Sequence, residues 1–267
     1  MPLPLPSASC LSHLLAQPRT ALGVFVPAGL SDLADEARML GALSRSGAAL
    51  FEIGMPTADL VFDGPVIASA YRQALRRGTG LSRLQQTVER AATLAPTVVV
   101  AYAASLQQHG PGRFAARLAQ AGASGVMVPD LPADHAAAWH QTARVAGLLT
   151  PALVPRHTDE EELGGLAAAA SGWLYAPAGT GRTGFRGRID TAALAHEVGR
   201  LRAASTLPVV SGIGLSTPAK AALVAPLVDA VLIGTPIVRA LTTAPHNTPQ
   251  LVAKFAAAIA SHQVSHG

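Results

Sequence analysis

Short apolar runs of strand length recur along this chain, each followed by a stretch of helical spacing and a Gly or Pro break, and eight such pairs can be counted. That alternation restricts the chain to parallel α/β architectures. The predicted strands are residues 22–26, 49–53, 97–102, 125–128, 150–154, 172–176, 208–211 and 230–233, apolar on both faces as buried parallel strands are. Helical spacing predicts helices over 33–46, 81–94, 133–146, 159–170, 191–203 and 217–224, with a closing helix over 249–262. An extra N-terminal helix over 9–17 is expected to plug the barrel bottom. Alternation alone also permits a doubly wound open sheet, but eight near-even repeats favour a single (β/α)8 TIM barrel over residues 1–267. At 49% hydrophobic and 13% charged residues the chain can bury one large core, and no linker or charge run divides it.

The formal charge is +4, and 18 of the 20 basic residues are Arg spread along the chain, so no basic stripe for nucleic acid appears. Anionic small substrates suit that balance better. A single cysteine, Cys10, rules out an intrachain disulfide framework and a multi-cysteine zinc site. The opening MPLPLPSASC has no basic region ahead of an apolar one, and the longest apolar runs, such as 94–106, are too interrupted to span a bilayer. The expectation is a cytoplasmic chain with no membrane partner.

In barrels of this kind the chemistry occupies loops after the C-terminal ends of the strands, and phosphate commonly binds after strands seven and eight. Ser211-Gly212-Ile213-Gly214-Leu215-Ser216 follows strand seven, and Gly234-Thr235 leads from strand eight into a helix. Either pair alone reads most simply as a tight turn; together they make Gly212, Gly214, Gly234 and Thr235 a candidate phosphate cradle, because glycine lets backbone N–H groups approach an anion. A third Gly-rich segment, Ala178 to Gly184, follows strand six and can act as a lid.

Carboxylates are scarce, so their placement is informative. Glu52 falls inside the second strand among Leu50, Phe51 and Ile53, where desolvation raises its pKa into the range useful for acid–base work. The alternative is a structural glutamate paired to an Arg. Asp59 and Asp63 lie in the next loop, and Asp63, before Gly64-Pro65, also suits a plain turn. Asp130 reads as a turn or helix cap. Tyr102 and Tyr175, closing strands three and six, either present hydroxyls to a pocket or pack in the wall. No histidine falls at a strand end beside a carboxylate. The only lysines, Lys220 and Lys254, sit in predicted surface helices, and no ligand set has metal spacing. Carboxylate acid–base chemistry is what remains.

The run FEIGMPTADLVFDGP, Phe51 to Pro65, is similar to the signature E-L/I-G-x-P-F/Y-S-D-P-x-x-D-G-P of the tryptophan synthase alpha subunit family. The resemblance extends over nearly the whole chain, through Pro27-Ala28-Gly29, Pro129-Asp130-Leu131-Pro132, Tyr175, Gly181 to Gly184, Gly212-Ile213-Gly214 and Gly234-Thr235. It implies retro-aldol cleavage of indole-3-glycerol phosphate to indole and glyceraldehyde 3-phosphate with no metal or organic cofactor, with Glu52 as the acid and base and Asp63 holding the indole N–H. It also implies substrate contacts at Tyr102, Tyr175, Thr183 and Ile213, and phosphate contacts at Gly184 as well as the cradle residues. Thr183 matches the lid residue that settles near Asp63, and the implied partner is a pyridoxal-phosphate β subunit that receives indole.

Departures from the family pattern cluster in the strand-two loop, where Thr57-Ala58 replaces an aromatic-Ser pair, Leu60 replaces Pro and Phe62 is bulkier than usual. Arg182 stands for Val in the lid, Ala104 for Asn, and Ile213 for the pocket aromatic. In the family the strand-two loop and the Asn position touch the β subunit. A divergent lyase, acting alone or with another partner, is the expectation; a non-catalytic partner-binding subunit and a barrel turned to another phosphorylated substrate are the competing readings.

Overall fold

Period-two patterning decides which way each strand faces, and every strand here carries two apolar sides. The computed structural model describes residues 7–59 and 62–264; Leu60 and the extreme termini of the expected domain lie outside them. The strands are β1 (Ala21–Pro27), β2 (Leu50–Gly54), β3 (Thr97–Val100), β4 (Gly125–Met127), β5 (Ala152–Leu153), β6 (Leu174–Pro177), β7 (Val209–Gly212) and β8 (Ala230–Ile233). All neighbours are parallel, in the order β4-β3-β2-β1-β8-β7-β6-β5. The circle closes through a bridge between Gly125 and Leu149, where Leu149 N–H donates to Ser124 O at 3.0 Å and Val126 N–H to Leu149 O at 2.8 Å. Strand five is shorter than its predicted 150–154 because Pro151 has no N–H for the ladder, so closure shifts back to Leu149.

Twelve α-helices surround or cap the strands among the described residues: α1 (Ser7–Leu15), α2 (Leu33–Arg45), α3 (Pro65–Arg76), α4 (Leu81–Ala92), α5 (Ala103–His109), α6 (Pro111–Gln120), α7 (Ala133–Val145), α8 (Glu160–Ala169), α9 (Thr191–Ala204), α10 (Pro218–Val224), α11 (Thr235–Thr243) and α12 (Thr248–Val264). Asp32, Asp159, Asp190 and Thr217 cap α2, α8, α9 and α10 by accepting from backbone N–H groups two or three positions into the helix. Four helices go beyond one per strand: α1 ahead of β1, and a second helix after each of β2, β3 and β8. Gly64-Pro65 starts α3 rather than a simple turn, and Gly110, at φ +78°, with Pro111 divides α5 from α6. No described helix is long and apolar enough to cross a membrane.

Outward strand residues such as Val24, Phe51, Ile53 and Val231 pack under the helices, while Leu50, Val98, Trp173, Val210 and Leu232 fill the lumen. Leu11 and Leu15 of α1 join that inner set and seal its lower end, each burial stabilising by about 2 kcal/mol. A filled lower lumen leaves only the opposite mouth free, at the C-terminal ends of the strands.

Candidate active site

Leu50, Glu52 and Gly54 share one face of β2, and Leu50 lies in the lumen, so the same parity aims Glu52 inward. Its register partners are Phe25 and Val98, both apolar. Glu52 is 5% exposed, its Oε1 has no hydrogen-bond partner, and burial pushes its pKa up to about 8. No arginine reaches it. That pattern belongs instead to Glu36 on α2, equally buried, which accepts from Gly29 N–H, Thr87 and Arg83 and ties α2 to α4.

Above Glu52 a cavity of about 140 Å³ opens at the mouth. It is lined by ten of the eleven predicted site residues: Glu52, Asp63, Tyr102, Tyr175, Thr183, Gly184, Ile213, Gly214, Gly234 and Thr235. Gly212 is not among them. A Cβ there would stand 2.0 Å from the Tyr175 hydroxyl, so this glycine admits the tyrosine over the strand. The Tyr175 phenol is held neutral chiefly by burial and also by the nearby Glu52 carboxyl.

Asp63, just ahead of α3, accepts from the Tyr102 hydroxyl at 2.7 Å and from Thr183 Oγ1 at 3.5 Å. Burial raises its pKa, and the two hydroxyls oppose the rise. Strand β3 ends before Tyr102, which occupies the N-cap position of α5 and so turns toward Asp63. Thr183 also accepts from Gly64 N–H at 2.8 Å and donates its own N–H to Phe62 O at 3.0 Å, closing the segment after β6 onto the strand-two loop. Asp130 caps α5 by accepting from Ala103 N–H at 2.8 Å.

At the other end lie Gly184 (φ +92°), Gly214 (φ +105°), Gly234 at the N-cap of α11, and Thr235. Ile213 between the glycines takes φ +35°, a strained turn for a β-branched residue that carries its side chain into the cavity. Arg186 and Arg239 also line this end, and their charge suits an anion. Amide donors at a helix start, left-handed glycines and guanidinium groups together make this end a ready oxyanion or phosphate seat.

Several lining residues escape sequence reading. Tyr71 on α3 reaches over the rim to Gly54, where a Cβ would meet its hydroxyl at 2.4 Å and Phe25 Cζ at 2.5 Å. Phe62, Phe185, Met127 and Leu153 complete the apolar wall. A planar aromatic ring between two carboxyls, with an anionic tail toward the glycines, fits that distribution.

Residues 11–266 match the family model described as tryptophan synthase alpha chain. The chain is similar to the tryptophan synthase alpha chains of Acidothermus cellulolyticus, 37% identical over 94% of both chains, and of Streptomyces avermitilis, 36% identical over 88% of this chain and 85% of that one. Its structure is similar to that of Mycobacterium tuberculosis tryptophan synthase, with a TM-score of 0.85 and 32% identity over 96% of this chain and 97% of the other.

Proposed function

Because this chain belongs to the tryptophan synthase alpha chain family, we propose that it is a carbon–carbon lyase cleaving indole-3-glycerol phosphate to indole and glyceraldehyde 3-phosphate, with Glu52 as acid and base. One observation carries the proposal: a buried Glu52 whose Oε1 has no partner, in the same cavity as Asp63 and the glycine turns. A carboxyl so placed keeps its proton at neutral pH, as a general acid requires.

In the proposed reaction Glu52 delivers its proton to indole C3, and the ring becomes a cationic electron sink. Asp63, held by the hydroxyls of Tyr102 and Thr183, accepts the indole N–H and stabilises the charge on nitrogen. The Glu52 carboxylate then takes the proton of the hydroxyl on the carbon joined to C3. That C–O becomes C=O as the C–C bond breaks, and the released electron pair restores the indole ring. One proton is given and one recovered. Amides near Gly184, Gly214, Gly234 and Thr235, with Arg186 and Arg239, hold the phosphate meanwhile.

The family resemblance makes a pyridoxal-phosphate β subunit the partner that would receive indole. A partner-modulating subunit with an idle site has no use for an unpartnered buried carboxyl, which favours the lyase reading over the non-catalytic one. The test is indole release from indole-3-glycerol phosphate by the purified chain, alone and with an added β subunit. Glu52→Gln is expected to cut turnover by about a hundredfold or more under whichever condition supports it. Turnover within threefold of wild type in that variant overturns the assignment.

A further inference from the structure

The segment after β6 is tied down at both ends, and the second tie lies outside the chemistry proposed above. It is Lys220, in the first turn of α10, expected from sequence to be a surface residue. Its ammonium donates to the carbonyls of Gly187 at 2.7 Å and Arg186 at 3.1 Å, and to Ser216 Oγ at 3.1 Å. Three acceptors engage all three ammonium protons. Ser216 and Arg186 both line the cavity at the end that carries Gly214 and Gly234. Lys220 thus joins the lid to the loop after β7.

Local helix chemistry does not explain a lysine here. A cation in the first turn opposes the helix dipole, and α10 has no acidic residue in that turn to offset it. The three oxygens supply the compensation. The choice of Lys is also notable where 18 of 20 basic residues are Arg, because a planar guanidinium cannot direct its protons at three oxygens gathered around one point as an ammonium does.

We propose that Lys220 is a positioning residue that couples lid closure to the grip on the substrate's phosphate, by fixing Arg186, Gly187 and Ser216 as one unit over that end of the cavity. The inference rests on the reading of that end as the phosphate seat. An anion bound there favours the latched lid through the same charges, and by reciprocity the latch tightens anion binding.

The lid carries three exposed trypsin sites, Arg182, Arg186 and Arg188, and glycerol 3-phosphate serves as the anion probe. Limited trypsin digestion of the wild type should slow when glycerol 3-phosphate is added. In Lys220→Met nicking should start about tenfold faster and lose that protection, while KM for indole-3-glycerol phosphate rises about tenfold and kcat shifts less than threefold. Ser216→Ala breaks the link from its other side and should likewise lose anion protection. Lys220→Met nicked at the wild-type rate, or with wild-type KM, overturns the proposal. If a thermal melt shows Lys220→Met to be unfolded, Ser216→Ala decides, and anion protection kept there overturns it equally. A wild type that turns over no indole-3-glycerol phosphate removes the lyase reading, and the nicking comparison still judges the latch.

Discussion

Two glutamates, Glu36 and Glu52, are each 5% exposed, and their surroundings separate them. Burial raises both pKa values, but Glu36 has a backbone amide, Thr87 and Arg83 to hold its charge, whereas the only cause acting on Glu52 is desolvation. A carboxyl satisfied on every side serves the fold; one left unsatisfied beside a cavity is available to a ligand. Glu52 was legible in the sequence because a charge interrupts an apolar strand. Glu36 was not, since it stands beside the exposed Asp35 in the first turn of α2 and nothing local marks which of the two turns inward. Tyr71 and Lys220 were illegible for a related reason: each acts on a segment far from it in sequence. Crowding at Gly54 gives a test at this scale. Gly54→Ala places a methyl group 2.4 Å from the Tyr71 hydroxyl and should destabilise the fold by about 2–3 kcal/mol, read by urea denaturation, with Tyr71 or Phe25 pushed into the cavity and activity reduced.

Among elements, the strands followed from their apolar runs because parallel strands bury both faces; the bounds of all but β8 moved by one or two residues, and β5 was shortened most, around Pro151. The helices α3, α5 and α6 were not predicted: Gly64-Pro65 was read as a turn, although proline at the first helical position, as Pro65 in α3 and Pro111 in α6, is also a start signal. The glycine segment after β6 was recognisable as a lid by composition. Its closed arrangement was not, because that depends on Thr183 meeting Gly64, Phe62 and Asp63 across the mouth. Thr183→Val keeps the size of the side chain and removes the hydroxyl. It should lower kcat/KM by about tenfold, in proportion to one lost hydrogen bond to a charged group, and leave the melting temperature within a few degrees of wild type. A variant with unchanged kcat/KM would mean that this closure contributes nothing to catalysis.

For the whole molecule, the barrel closes one end of its lumen with α1 and leaves the other open, so an apolar interior and a single polar mouth are consequences of the same topology. Glu52 sits at the boundary between them, in a wall with no group to take its proton. That placement has a measurable thermodynamic signature. Below about pH 4.5 both folded and unfolded chains keep Glu52 protonated; between that and about 8 only the unfolded chain ionises, so wild-type stability is drained as pH rises; above 8 both are ionised and the loss stops growing. Unfolding free energies of wild type and Glu52→Gln, measured by denaturant titration from pH 4 to 9, test the retained proton directly. The account predicts that the variant gains on wild type by a few kcal/mol in total across that window, with plateaus on either side. A difference that stays flat through the window would show that Glu52 ionises as an ordinary carboxylate, and the acid at the centre of the proposed chemistry would be lost.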